Sequence, residues 1–558
     1  MRNPPLREAG PGDLKRLRPK SLHRAWALAS AAVLATGLLA YGSASAPTAA
    51  QGADDVITVP AFGPTAYQFQ GFGVSLAWWA NVVGGWSLAQ RSQIEDALFS
   101  QSTPDNPNRL GLNVIRYNIG ATPALGNPPE PDTSVLPPNC QTWDKGGRAV
   151  PVVQSGPDQP INLALDTNQI RALTEAISRV KADGQRPQLE AFANSAPWWM
   201  TLSQCSQGNG GTISIPGTNI QIPNASVNLD PTQDEKYAEF LVLVLDAFRQ
   251  EGITFDSIDP LNEPTNPWLP NGPQNKQEGM MLDGGSQQAV ISDLCTFLKI
   301  AGMSSTGISA PDGFNPDGLG NQSDTPTVAG FLNAFDDGTS KDLNLYSQGV
   351  RDCLAQINTH MYDIQVNVNG LSASKDLIPY AGSGRVALRN TVAGLNQPGQ
   401  PPKRIWMSEF GSSGAPDDMG SGIAVADEIT RDLRYLRPSA WVYWQAVGTD
   451  QTNSDSLIAA PGFPSEDGLA PDFPNSVNLA PNPGSGFSGF ITPTKRYFAL
   501  EQFSRFIRPG DWIVPALDPQ DNASAEQAST VAAFDPNAHT LTIVTTNDSS
   551  QPRTPPMT

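Results

Sequence analysis

Histidine is nearly missing from this chain of 558 residues: His23, His360 and His539 are all there are. His23 lies in a basic leader and His539 in a late polar stretch. A Ser-His-Asp triad or a histidine-rich metal site would therefore have only His360 to work with. No GxSxG, GxxxxGK[ST] or HExxH motif occurs. Cysteine is almost as scarce, with Cys140, Cys205, Cys295 and Cys353, none at CxxC spacing; this argues against zinc. Positive charge is short, 35 Lys and Arg against 54 Asp and Glu, for a net charge of −19. Such a surface repels nucleic acid and anionic membranes. By elimination, hydrolysis by carboxylates leads.

Long apolar runs are also lacking. The longest, Ala25 to Tyr41, follows Arg2, Arg7, Lys15, Arg16, Arg18, Lys20 and Arg24 and precedes the small residues SASAPTAA. This three-part layout predicts a secretory signal over 1–50, cut near Ala46 or Ala50, with a retained single anchor as the alternative. The run is short for a membrane span. The expected protein is exported and extracellular. Export permits disulfides. Cys140 and Cys205, both in Pro/Gly/Asn-rich loops, are the first expected pair; Cys295 and Cys353 form a second pair or stay as buried thiols.

What remains is rich in alternating strand and helix patterns. Strand-like runs are QFQGFGVSLAWW (68–79), LNVIRYNIG (112–120), QLEAFANSAPWW (188–199), FDSIDPLNEP (255–264), STGISAPDG (305–313), CLAQINTHMY (353–362), RIWMSEFG (404–411) and AWVYWQAV (440–447). Amphipathic helical patterns separate them, the faintest between the sixth and seventh strands. Repeated β-then-α order implies parallel strands, and eight units predict an α/β fold, a (β/α)8 TIM barrel. A doubly wound open sheet is the alternative, but no glycine-rich phosphate turn follows the first strand. Alternating runs at both termini, DDVITVPAF and WIVPAL…TLTIVTT, predict a small β-sandwich side domain. The expected organisation is leader 1–50, an N-terminal strand of the side domain in 54–67, barrel 68–508 and C-terminal strands in 509–558, that part being either incomplete or padded by unusual edges.

Barrel chemistry gathers at the C-terminal ends of strands. Those ends carry Arg116; Asn194 followed by Trp198; Asn262 and Glu263; His360 and Tyr362; Glu409; and Trp444. Two glutamates, from strands four and seven, would face one mouth, as glycoside hydrolysis requires. Asn262 fits a donor to a sugar 2-hydroxyl, and Tyr362 offers a hydroxyl to Glu409. Of Trp78-Trp79 and Trp198-Trp199, at most one of each pair can face the cleft; Trp78 and Trp198 are the candidates to hold a sugar face. Each residue also has a plain structural reading. Glu263 can be a strand-ending residue held extended by Pro264, Glu409 a buried partner of Arg116, His360 a core histidine, and the tryptophans core.

GFGVSLAWWA, RYNIG, FANSAPWWM, NEP, THMY and SEFG, in this order, resemble glycoside hydrolase family 30, and within it the endo-β-1,6-galactanases. The resemblance implies a β-sandwich beside the barrel, retaining hydrolysis with Glu263 as acid/base and Glu409 as nucleophile, and Arg116, Asn262, Tyr362 and His360 around them. It implies a polysaccharide substrate, the β-1,6-galactan of arabinogalactan, with no cofactor or metal, and a monomer is expected. Alternatives are β-1,6-glucanase or xylanase activity, or a non-catalytic carbohydrate-binding barrel. Loops 121–160, 313–350 and 448–492 are expected to shape the cleft.

Overall fold

The computed structural model describes residues 56–548 except 61–62, 64, 127–128, 133, 135, 137–148, 209–211, 215–220, 224–227, 265–267, 269–276, 283, 316–346, 363–364, 368–371, 375–383, 450–454, 461–462, 464–480, 483–486 and 489–490. The expected leader, Cys140 and parts of all three cleft loops lie outside the described residues.

Eight parallel strands close into a barrel. They are β1 (Gly71–Ser75), β2 (Val114–Ile119), β3 (Gln188–Ala193), β4 (Ser257–Asp259), β5 (Gly307–Gly313), β6 (Leu354–His360), β7 (Arg404–Phe410) and β8 (Ala440–Tyr443). Each pairs with its sequence neighbours, and β8 returns to β1 through Tyr443 beside Val74. Around them run α1 (Leu88–Phe99), α2 (Thr167–Ala182), α3 (Asp234–Gln250), α4 (Gly284–Ile300), α5 (Gln348–Cys353), α6 (Gly384–Gly394), α7 (Met419–Arg431) and α8 (Lys495–Ser504). Local chemistry sets their ends. Ser87 and Gln90 form a reciprocal cap on α1, and Gly184, at φ 72°, turns the chain out of α2. The faintly patterned helix between the sixth and seventh strands is present as α6.

Strand alternation divides the side chains. On β2, Ile115, Tyr117 and Ile119 point out into the large apolar core shared with the helices; Val114, Arg116 and Asn118 point in. The interior has three levels. Val114, Trp406, Ala440 and Val442 form an apolar plug. Above it lies a polar network. At the mouth, Ala77, Trp78, Val150, Phe192 and Trp444 cluster.

Glu190 is the hub of the network. It accepts from Arg116 Nε at 2.8 Å, Ser257 Oγ at 2.8 Å, Ser309 Oγ at 2.7 Å, Gln356 Nε2 at 3.0 Å and Asn358 Nδ2 at 2.9 Å. One buried carboxylate thus ties β2, β4, β5 and β6 to β3. Replacing it with leucine leaves Arg116 under-neutralised in a buried site, which costs about 3–5 kcal/mol. Glu190→Leu should lower unfolding stability in urea by that amount; a loss under about 1 kcal/mol would show that the hub is dispensable.

A four-stranded antiparallel sheet sits beside the barrel, built from both ends of the chain. Tyr67–Gln68 pairs with Trp512–Val514, which pairs with Thr530–Asp535, which pairs with Thr540–Thr545. Thr58 bridges to Leu517. Ile513, Val531 and Ala533 face the main core; Val514, Ala516 and Ala532 gather on the opposite face. Among the described residues this is the one sheet of the side structure. Cys295 is bonded to Cys353, joining α4 to α5, with Cα atoms 5.8 Å apart. Cys205 is also disulfide-bonded, and its expected partner Cys140 is not among the described residues.

Candidate active site

Every polar group of the mouth is placed by a strand end. Beyond β4 the chain runs on between its neighbours: Asn262 N–H donates to Ala193 O at 3.2 Å and Glu263 N–H to Asp312 O at 2.9 Å. Glu263 O accepts from Trp268 Nε1 at 3.3 Å. This grip holds Glu263 at φ 43°. The residue before Pro264 is therefore left-handed rather than extended, which corrects the simple strand-end reading. Contacts on both sides override the extended preference that proline imposes. Trp78, three residues beyond β1, also has a positive φ, 56°. Such backbones cost about 1–3 kcal/mol for bulky residues and gather at functional sites.

His360 stands between the two glutamates. Its Nδ1 lies 2.9 Å from Glu263 Oε1 and 3.4 Å from Glu409 Oε1. Its Nε2 lies 3.1 Å from Asp312 Oδ2, an ionic contact rather than an aligned hydrogen bond. One donor atom from each of Glu263, His360 and Glu409 falls within 4.8 Å of the others, so the two carboxylates approach each other within that distance. All three side chains are buried. Arg116 Nη1 lies 3.8 Å from Glu409 Oε2, but its stronger partners are Glu190, Asp312 Oδ2 at 2.7 Å and Ser408 O at 3.0 Å. Its guanidinium also covers the Phe192 ring at 4.1 Å. Arg116 is thus chiefly the cation of the barrel network, reaching Glu409 with one remaining edge.

The electrostatics follow from this crowding. Burial opposes a charge on His360, but the negative charges of Asp312 and Glu409 and the close contacts with Asp312 and Glu263 outweigh it and push the imidazole up to about 10. Burial alone would raise Asp312; His360 and Arg116 outweigh it and hold its carboxyl below the usual range. Asp259 is pushed the other way by burial and then by the charges of Asp312 and Glu190, and its Oδ2 accepts from Asn358 Nδ2 at 2.7 Å. Tyr362 is raised by burial and by the Glu409 charge, so its phenol stays neutral, edge-on to His360 with ring centres 5.9 Å apart.

Glu263, His360 and Glu409 are also the donors a metal would need. The imidazole nitrogen facing both carboxylates is Nδ1: neutral it could ligate, and protonated it donates between the two glutamates.

Of the residues singled out in the sequence, Arg116, Asn262, Glu263, His360, Tyr362 and Glu409 converge. Trp78 and Trp444 meet edge to face with ring centres 4.8 Å apart, both close to fully buried. Trp79 is core, its indole N–H donating to Ser75 O. Trp198 packs against Leu136 and Cys205, and Trp199 against the main core. Asn194 is buried, and among the described residues neither side-chain amide atom has a hydrogen-bond partner; Asn262 Oδ1 is likewise unpaired among them. Three contributors escaped sequence reasoning: Asp312, Glu190 and Asn118. Asn118 is buried with both amide atoms unpaired, one inward position above Arg116. The available signal was period two: Asp312 and Glu190 are charges inside otherwise apolar strands.

Two carboxylates this close, one against two cations, under an aromatic patch and unpaired amides, are the groups that cleavage of a sugar acetal requires. The comparisons agree. The model of O-glycosyl hydrolase family 30 matches residues 181–459, half of the chain, including both glutamates. The chain belongs to glycoside hydrolase family 30. It is 27% identical to an endo-β-1,6-galactanase of Hypocrea rufa over 86% of this chain and 78% of that one. It is 24% identical to an exo-β-1,6-galactobiohydrolase of Bifidobacterium longum over 75% of this chain and 29% of that protein, so it spans less than a third of that relative. Among solved structures, a conserved exported protein from Bacteroides fragilis shares the fold, with a TM-score of 0.59 at 18% identity over 86% of this chain and 87% of that one. No helix among the described residues is long and apolar enough to cross a membrane.

Buried acids give this glycosidase a defined pH response. Burial pushes Glu95 up to about 9, Asp166 to about 7, and Glu278 and Glu428 each to about 8. Each folded value exceeds its unfolded one, so each contributes stability that is present below the unfolded value and lost as pH rises to the folded one. His360, raised to about 10, loses its contribution over the range from its ordinary value upward. Asp312 is lowered, so its contribution is lost only as pH falls below the ordinary aspartate range. The thermal midpoint should peak near pH 4–5, about where the ordinary carboxyl values lie, and fall steadily toward pH 9; a midpoint that rises from pH 5 to 8 contradicts this ordering.

Proposed function

We propose that this protein is a secreted, retaining endo-β-1,6-galactanase acting on the β-1,6-galactan side chains of arabinogalactan. Glu409 attacks the anomeric carbon and displaces the aglycone oxygen, which takes its proton from Glu263. A covalent galactosyl ester on Glu409 results. Glu263, now a carboxylate, takes a proton from water; the water oxygen attacks the anomeric carbon and Glu409 leaves, restoring both groups. The observation that carries this reading is the approach of the two carboxylates to within 4.8 Å. Retaining enzymes set the pair about 5–5.5 Å apart, whereas inverting enzymes leave roughly 6.5–9.5 Å for a water.

The surrounding charges suit these roles. Protonated His360 and Arg116, at 3.4 and 3.8 Å, set two positive charges against Glu409. Glu263 receives the Nδ1 proton's hydrogen bond at Oε1 and can carry its transferable proton on Oε2. Asn194 and Asn118 offer unpaired amides, and Asn262 an unpaired Oδ1, to sugar hydroxyls, and leaving such groups unmatched penalises a wrong sugar. The galactan assignment is supported by the two β-1,6-galactan-cleaving relatives, and secretion by the leader.

The test is product sizing on de-arabinosylated arabinogalactan, β-1,6-glucan and glucuronoxylan. A ladder of galacto-oligosaccharides from the first substrate alone is expected. Release of galactobiose only would make the enzyme exo-acting, and preference for glucan or xylan would overturn the sugar assignment.

A further inference from the structure

We propose that the junction between the side sheet and the barrel is a second ligand site, one that takes the carboxylate of a monosaccharide-sized sugar acid. A cavity of about 340 Å³ opens there, lined among others by Tyr67, Leu433, Tyr435, Arg389, Arg434 and Arg437. Arg389 comes from α6. Arg434 and Arg437 come from the turn of π-helix at Asp432–Leu436 and the left-handed residue that ends it, at φ 59°. Three guanidiniums on one cavity repel one another, and such a basic cluster stands out in a chain whose net charge is −19.

The nearby acids pair with one of the three. Asp521 is paired with Arg434 at 3.0 Å. Both oxygens of Glu526 accept backbone N–H groups at the start of α6, from Arg385 and Val386. Asp432 serves Arg385 and the Trp441 indole. Among the described residues neither Arg389 nor Arg437 has a carboxylate partner; Arg389 donates to Tyr435 O at 2.9 Å. Both are half-buried, and burial together with a neighbouring guanidinium (Arg437 beside Arg389, Arg434 beside Arg437) disfavours their charge, at Arg389 by more than the Glu526 carboxylate restores. A bound oxyanion removes this conflict, and planar guanidinium forks suit a carboxylate.

The volume decides between candidate anions. Small-molecule pockets begin at about 300 Å³, so the cavity exceeds what an inorganic ion fills and matches one sugar ring. The two tyrosines supply the flat apolar area a ring needs. The site lies on the outer side of the barrel wall and is independent of which glycosidic linkage the enzyme cuts.

The experiment is calorimetric titration of the full chain at low ionic strength with D-glucuronate, D-galactose and inorganic phosphate. Glucuronate should bind and galactose should not. Arg437→Gln and Arg389→Gln should each weaken glucuronate at least tenfold while polysaccharide hydrolysis stays within about twofold, which also reports folding. Should a glutamine variant fail to fold, Arg437→Lys, keeping charge without the fork, should still weaken binding severalfold. Absence of glucuronate binding, or equal binding by the variants, overturns the proposal. Phosphate binding without glucuronate binding overturns it too, leaving an adventitious ion only.

Discussion

Glu409→Gln should abolish turnover of β-1,6-galactan, with kcat falling at least about 10⁴-fold. In the proposed mechanism this side chain carries the negative charge that attacks the anomeric carbon; the amide is nearly the same size but cannot, so the covalent route that divides one hard step into two would be lost. The fold should survive, because Glu409 is a peripheral member of the charge network: Arg116 keeps Glu190 at 2.8 Å and Asp312 at 2.7 Å. The thermal midpoint is therefore expected to change little, while initial rates with purified galactan collapse. Activity within tenfold of the unaltered enzyme would remove Glu409 from the nucleophile's role. It would leave the residue as one more partner of Arg116.

The second large effect separates the two glutamates. Glu263→Ala should lower kcat on galactan by about 10³-fold or more, general acid catalysis alone being worth about 10²–10⁴-fold. The loss should be far smaller for a nitrophenyl β-galactobioside, whose leaving group needs no proton in the first step. Added azide should then restore turnover and yield a β-glycosyl azide, because a small anion can enter the space vacated by the side chain and needs no general base. The alanine also relieves little of the backbone strain, since φ 43° is held by Asp312 O and the Trp268 indole. A uniform loss on both substrates with no azide product would assign Glu263 a structural task.

The barrel was legible because its signal is local and repeated. Each strand ends in a recognisable run, and RYNIG, NEP, THMY and SEFG mark four of them. The partners of the buried charges were not legible. Arg116 meets Glu190 and Asp312 across 74 and 196 residues of sequence, contacts that exist only once the barrel closes. Alone, Arg116 pointed to Glu409; closure gave it two nearer acids. Asp312 sits at the end of STGISAPDG, where Asp-Gly reads as a turn, yet the aspartate faces inward and holds His360, Arg116 and Ser408 together. His360, readable as an ordinary core histidine, became the group between both glutamates through its register opposite Glu409. Nothing in NEP announces a left-handed glutamate either, because that conformation is imposed by β5 and Trp268 rather than by its neighbours in sequence.

Proton NMR of the reducing end first released from β-1,6-galactan tests the central claim most directly. Carboxylate oxygens within 4.8 Å of each other match the close spacing of about 5–5.5 Å at which one carboxylate attacks directly rather than the roughly 6.5–9.5 Å of single displacement by water, so the β-anomer should appear first and mutarotate to the mixture over minutes. First appearance of the α-anomer would show a single displacement by water and contradict the account.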